Sequence, residues 1–278
     1  LPKPSRYLGI EEGSVHKDPE RVTLHAALAF PDLYEVGMSY LGQKIIYGLI
    51  NDRPQWWAER VFAPCREAAA VLREAGAPLC SMESDTPLSD MDFIGFSVTH
   101  ELCYTNILFM LDLAGIPRRA YARGALRSDG QIPRLSHGPI IAAGGGGALA
   151  AEPLAPFMDL MILGEGEEVT LELFELLEKA KAADWTREAF LEGAAAIPGI
   201  YVPEFYETPA DRPAVVRCII PDFNTAPYPA SQVIPFGAIH NRLALEIARG
   251  CTRGCRFCQA GMIYRPARER SVAKITGL

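Results

Sequence analysis

Asp92-Phe93-Ile94-Gly95-Phe96-Ser97-Val98-Thr99-His100-Glu101-Leu102 is the stretch whose reading sets the architecture. Phe93–Val98 is a short, nearly apolar run closed off by Asp92 and Thr99, the pattern of a strand buried on both faces. Leu102–Ala114 follows with helical spacing and is stopped by Gly115 and Pro117. A buried strand that runs straight into a helix predicts one crossover unit of a parallel sheet.

The same alternation extends in both directions. Upstream, His25–Phe30 predicts a first strand, followed by the loop Pro31–Gly37 and a helix through Ile50 with Leu41, Ile45, Ile46 and Leu49 on one face. Arg60–Ala63 predicts a short second strand, Arg66–Ala75 a helix ended by Gly76, and Leu79–Met82 a further strand. Downstream, Arg118–Pro139 reads as a hairpin or loop. Ile140–Ala143 is a strand running into Gly144-Gly145-Gly146-Gly147, and Leu160–Leu163 closes the sheet. Gly164-Glu165-Gly166-Glu167-Glu168 opens a helix over Val169–Lys181, its glutamates favoured by the positive end of the helix dipole. Ala183–Pro198 predicts one more small helix. The chain is read as α/β, a doubly wound and mostly parallel sheet.

From Pro203 onward, prolines 209, 213, 221, 227, 229 and 235 carry the chain without a helical pattern, which predicts extended pieces and a linker. A second module starts near Ile239: Leu243–Ala248 as a strand, then a cysteine loop, then a helix from Ser271. The expected divisions are 1–200, 201–238 and 239–278.

Composition narrows the class. The chain has 278 residues, 49% of them hydrophobic and 22% charged, enough for one large or two ordinary domains. A net charge of -7 gives no overall bias toward nucleic acid or a membrane surface. No apolar run reaches the roughly 18–20 residues of a membrane span, and the start lacks a signal-peptide pattern. Seven cysteines without a framework spacing predict reduced thiols and a cytoplasmic setting. The first residue, Leu1, and the abrupt end predict a piece of a longer protein or a truncated product.

Within the second module the chain reads Gly250-Cys251-Thr252-Arg253-Gly254-Cys255-Arg256-Phe257-Cys258. Three thiols spaced C-x3-C-x2-C can wrap one compact centre, and thiolates suit zinc or iron–sulfur clusters. A structural zinc takes four ligands, but Cys65, Cys80, Cys103 and Cys218 are scattered singly. Three ligands on a four-iron cluster leave one iron open. Gly250 and Gly254 let the loop turn tightly, and Phe257 would supply an apolar wall. Arg249, Arg253, Arg256, Arg265, Arg268 and Arg270 crowd the region, either as neighbours for an anionic centre or as a solvated surface.

The spacing, with an aromatic before the third cysteine, resembles the signature of the radical S-adenosylmethionine (SAM) enzymes. Together with the N-terminal winding it resembles radical SAM proteins that carry a cobalamin-binding-type domain ahead of a barrel. Arg6–Gly9, Phe30–Ser39 and Ile247–Gly261 resemble a bacterial subfamily without an assigned reaction. The resemblance implies Cys251, Cys255 and Cys258 as ligands of a 4Fe-4S cluster, SAM as cofactor, and reductive cleavage of SAM to start radical chemistry. It also implies an electron donor such as flavodoxin or ferredoxin and a substrate still open, RNA among the candidates. The second module would then be the first strand–loop–helix unit of a truncated barrel, weakly supported on its own.

Cobalamin domains of this type often carry D-x-H-x-x-G after the first strand, the histidine ligating cobalt. Here Asp32-Leu33-Tyr34-Glu35-Val36-Gly37 has that spacing with Tyr34 in the histidine position, and phenol is a poor cobalt ligand. Ser97 and Thr99, with Gly144 and Gly145, resemble the elements that line the cobalamin nucleotide tail; in any doubly wound fold they also serve as strand ends and tight turns. The loops Asp32–Gly37, Ser97–Glu101 and Gly144–Gly147 should gather at one end of the sheet. Three readings stay open: a radical SAM enzyme, a non-catalytic corrinoid-binding module, and a zinc or nucleic-acid interaction domain.

Overall fold

The structure is a computed structural model that describes residues 3–126, 130–206, 213–229, 232–237, 239 and 242–278. Its centre is a six-stranded sheet in the order β2-β1-β3-β4-β5-β6. In chain order the strands are β1 (Leu24–Phe30), β2 (Trp56–Phe62), β3 (Phe93–Ser97), β4 (Ile140–Gly144), β5 (Leu160–Ile162) and β6 (Ile200–Tyr201). The first five run parallel, and β6 joins antiparallel at the edge through Met161↔Tyr201 and Ile162↔Ile200. The short α1 (Tyr34–Gly37) and α2 (Leu41–Asn51) follow β1, α3 (Arg66–Ala75) follows β2, and α4 (Tyr104–Leu113) follows β3. Then come α5 (Ala120–Gly124), α6 (Gly166–Ala182) and α7 (Arg187–Ala195).

Alternation along the strands divides the core into two layers. Leu24, Ala26, Leu28 and Phe30 of β1 face α2, α6 and α7, packing with Ile50, Leu173, Phe174 and Phe190. Ala27 and Ala29 face the other way, toward Ala69 of α3 and Ile107, Met110 and Leu111 of α4. Burial on both faces is why these strands read as apolar runs. The doubly wound, mostly parallel expectation is met.

Several boundaries differ. β2 begins at Trp56, four residues before the expected start. Leu79–Met82 is no strand: Leu79 donates its N–H to the Leu113 carbonyl and Ser81 to that of Thr86, leaving only an isolated bridge between Cys80 and Pro87. β5 does not close the sheet, because β6 pairs beyond it. The stretch after Pro117 holds α5 in place of a hairpin.

After β6, Cys218 forms an isolated parallel bridge with Gly164, just beyond β5. Pro209 lies outside the described residues. In the C-terminal part, β7 (Ala248–Arg249) pairs antiparallel with β8 (Arg268–Glu269), α8 (Ala260–Ile263) lies between them, and α9 (Val272–Thr276) follows, capped by the Ser271 side chain. The strand expected over Leu243–Ala248 is therefore shorter and displaced toward the cysteines. Of residues 251–278 only Gly261 and Arg270 are buried, as the expectation of weak support implies, and the segment is fastened chiefly through arginines. Arg270 is buried beneath Phe223 and donates to the carbonyls of Phe223, Ala226 and Glu246.

Candidate cofactor site

Parallel strands deliver all their C-terminal ends to one edge. From β1 the chain steps to β2 on one side and then to β3 on the other. Open α/β sheets bind ligands in the crevice at such a reversal. The three loops singled out in the sequence leave β1, β3 and β4 at this same end. The Gly147 N–H donates to the Val98 carbonyl at 2.9 Å, and the Asn106 side chain of α4 donates to the carbonyl of Pro31, just ahead of the first loop, at 2.9 Å.

Beside this edge lies a cavity of about 460 Å³, within the range of roughly 300–1,000 Å³ usual for small-molecule sites. Leu28, Phe93, Ala142 and Ile162 of the sheet form its floor, and Leu41, Ile45 and Ile46 of α2 form one wall. Ser97, the glycines 144–146 and the start of α6 form the mouth. Ala248–Gly250 and Ile263–Arg265 reach over from the C-terminal part. The expected apolar face of α2 thus serves as cavity wall as much as core.

Glycine is required at this mouth. Gly145 has φ +104°, and a Cβ there would stand 2.7 Å from the Val98 carbonyl oxygen. A Cβ on Gly146 would run into the hydroxyl of Tyr264, which caps the mouth from outside. Tyr40 also lines the cavity; burial, then the neighbouring Tyr264, pushes its pKa up to about 12, so its phenol stays a neutral donor. Apolar walls, a few hydroxyls and backbone amides, and a charged rim of Glu165, Glu167, Glu246 and Arg249 suit holding a large, partly apolar group.

Of the site residues picked from sequence, Ser97, Gly144 and Gly145 line this cavity, whereas Thr99 lies outside its lining. Tyr34 is buried in the core beneath, its ring edge-on to Phe62 at 5.3 Å. Its hydroxyl donates to Glu11 Oε1 at 2.7 Å and accepts the Phe236 N–H at 3.1 Å. Burial and the bond to Glu11 push that phenol well above its ordinary pKa. Position 34 therefore offers no ligand to a metal above the sheet.

The cysteine loop leaves β7 at the rim of the cavity. Cys251 is half-buried, Cys255 and Cys258 are exposed, and all three are free thiols. Cys258 donates its N–H to the Cys255 carbonyl at 3.2 Å, closing a turn. A Cβ on Gly254 would meet nothing, and Phe257 is 92% exposed. Three soft, free donors on one short loop fit a four-iron cluster by kind and number. Their present placement does not gather them: among the described residues, no three His, Cys, Asp or Glu side chains stand close enough to hold a metal ion.

What the sequence did not reveal is how the loop is seated. Arg268 pairs with Glu165, and Arg217 donates to the carbonyls of Met262, Ile263 and Arg265. Burial opposes charge on Glu165, but the Arg268 guanidinium and the Ile220 N–H outweigh it and hold the carboxyl below its usual range. Acidic residues at the start of α6, followed by many arginines near the cysteines, were the only available signal.

Comparison with known proteins bears on the family and the fold. Residues 42–203, more than half of the chain, match the family model described as radical SAM proteins, N-terminal. An anaerobic magnesium-protoporphyrin IX monomethyl ester cyclase of Cereibacter sphaeroides is 30% identical over 122 residues, covering 44% of this chain and 19% of the cyclase. An uncharacterized protein of Methanocaldococcus jannaschii is 32% identical over 123 residues, covering 43% of this chain and 23% of that protein. The chain thus matches about a fifth of the length of these curated relatives. Among solved structures, the cobalamin-dependent SAM radical enzyme OxsB with aqua-cobalamin bound superposes with a TM-score of 0.53 at 16% identity, over 90% of this chain and 30% of OxsB. That likeness is one of fold. Among the described residues no helix is long and apolar enough to cross a membrane.

Proposed function

Since this chain belongs to the family of radical SAM proteins, N-terminal, we propose that it forms the cofactor-binding front of a radical SAM enzyme. In this reading residues 1–200 are the Rossmann-type domain, 201–238 the linker, and 239–278 the start of the cluster-bearing module. The observation that carries it is the C-x3-C-x2-C loop seated at the rim of a cavity at the sheet's switch edge.

Cys251, Cys255 and Cys258 would hold the cluster. When bound, a four-iron cluster with one open iron would supply the electron for reductive cleavage of SAM. The chain's own part is to seat the loop. Gly250, at φ +96°, lets the backbone turn out of β7 where a Cβ would collide with the Tyr264 carbonyl. Exposed Cys255 and Cys258 leave the loop open to an electron donor of the flavodoxin or ferredoxin kind.

The cavity fits the nucleotide tail of a corrinoid. Its floor is apolar, Ser97 and Tyr40 offer hydroxyls, and the glycines 144–146 permit close approach. Tyr34, committed to Glu11 and the Phe236 N–H, would supply no nitrogen to a corrinoid held here.

Anaerobic reconstitution of the full-length protein with iron and sulfide tests the reading. The wild type should gain a brown chromophore bleached by reduction, and Cys255→Ala should lose both the chromophore and SAM cleavage. A colourless protein that takes zinc instead would replace this reading with an interaction domain. Titration with hydroxocobalamin tests the cavity: the expected spectrum lacks protein nitrogen ligation, and a nitrogen-ligated spectrum contradicts it.

A further inference from the structure

Arg249 lies in β7, with only Gly250 between it and Cys251. Its guanidinium reaches three carboxylates. Nη2 donates to Glu167 Oε1 at 2.7 Å and to Glu246 Oε2 at 2.8 Å, Nε donates to Glu246 Oε1 at 2.9 Å, and Nη1 stands 3.4 Å from Glu165 Oε1. The group is 4.9 Å from the centre of the Phe223 ring. Its side chain is 12% exposed and that of Glu167 5%. Arg268, paired with Arg249 across β7–β8, holds the other side of Glu165. Glu165, Glu167, Glu246 and Arg249 all line the cavity.

Glu165 is the residue before α6 and Glu167 is in its first turn. The dipole accounts for acidic residues there. It does not account for a planar fork that binds carboxylates from the Rossmann-type domain and from the residues just ahead of β7. Arginine suits this because its donors are fixed in one plane, whereas lysine offers a single flexible point charge.

We propose that Arg249 is a positioning residue: through Glu165 and Glu167 it sets the Cys251–Cys258 loop against the cavity mouth, so that the metal centre faces whatever the cavity holds. This rests on the cluster reading above. A guanidinium removed from this site leaves Glu167 without its partner and Glu246 with only the more distant Arg270, while Arg268 still holds Glu165, so the loop base loosens from α6 while the sheet, whose layers it does not enter, stays intact.

The test uses the full-length protein with Arg249→Met, Arg249→Lys and Glu167→Gln, read two ways. In the metal-free protein, amide hydrogen exchange of residues 250–265 should speed about tenfold in Arg249→Met and less in the other two, while Phe93–Ser97 stays as in the wild type. In the reconstituted protein, iron content should match the wild type, but the reduced cluster's electron paramagnetic resonance spectrum should change and SAM should bind about tenfold more weakly. Unchanged exchange at 250–265 overturns the proposal. So does faster exchange with wild-type spectrum and SAM affinity, which reduces Arg249 to a fastening. If the wild type takes up no cluster, the cluster reading fails by itself, and the exchange data still decide whether Arg249 holds the loop. Should Arg249→Met also loosen Phe93–Ser97, Glu167→Gln decides alone, since it removes one charge and keeps the guanidinium.

Discussion

Tyr34 stands where similar loops place a metal-binding histidine, and its hydroxyl is already committed to Glu11 and the Phe236 N–H. The spacing match with a changed residue was visible in sequence; the partners were not, since Glu11 and Phe236 lie far away along the chain. Tyr34→Phe strips a buried carboxylate of one donor and a backbone N–H of its acceptor. It should cost about 1–3 kcal/mol in chemical denaturation, softened because Arg60 still bonds Glu11. Tyr34→His should leave a bound corrinoid without a protein nitrogen, since the side chain points into the core; a nitrogen-ligated absorption spectrum contradicts the placement. Gly145→Ala should lose about 1–3 kcal/mol from its positive φ alone, beyond its clash with the Val98 carbonyl. A variant as stable as the wild type would show that the loop relaxes freely.

At the scale of elements, what could be read depended on where the backbone hydrogen bonds go. β1, β3, β4 and β5 are buried on both faces, and their apolar runs declared them within a residue or so. α3 matched its expected span because Gly76, at φ +61°, ends it in the left-handed region. β2 was expected only from Arg60 because the charged Glu59, buried in mid-strand, does not look like strand core until its partners are known. Arg60 is neutralised by Glu11 and Glu83, and Glu59 is bonded by His25 and Ser84. Leu79–Met82 failed the other way: apolar enough for a strand, but the N–H groups of Leu79 and Ser81 go to a helix-end and a loop carbonyl, and only that of Met82 reaches a strand, at Arg60. The α4 face is well determined. Ile107 is fully buried between α4 and the sheet, so Ile107→Ala should cost about 2–5 kcal/mol in denaturation, and a loss below that range would mean the α4 layer collapses around the gap.

Across the whole molecule, two distant segments clamp onto the sheet through ion pairs. The N-terminal strap binds through Glu11 to Arg60, and through Lys3 and Arg6 to Glu35. Burial opposes the charge on Glu11 and Glu35, yet the hydrogen bonds from Arg60, and from Arg6 and Lys3, hold both below the ordinary value of 4.5. Groups with depressed pKa stabilise the fold above their unfolded pKa and lose that contribution as pH falls through the depressed folded value. Hydrogen exchange in residues 3–11 should therefore stay flat from pH 7 to about 5, after correction for the intrinsic rate, and rise only in stronger acid; release near pH 6 would contradict these anchors. The C-terminal part is clamped by Arg249, Arg268 and Arg270. In sequence these arginines could be a solvated surface or neighbours of an anionic centre, and only three-dimensional pairing separates the three from the exposed Arg253 and Arg256. The cysteine spacing was legible because its chemistry is local; the cavity was not, because its lining comes from every part of the chain.

The central claim is that the Cys251–Cys258 loop carries a four-iron centre with one open iron at the cavity rim. Mössbauer spectroscopy of the full-length protein reconstituted with ⁵⁷Fe, with and without SAM, tests this most directly. The expected spectrum is that of a four-iron cluster in which one iron changes its isomer shift when SAM is added, and that cluster should be lost in Cys255→Ala. A cluster whose irons all ignore SAM, or one that survives intact in Cys255→Ala, would contradict it.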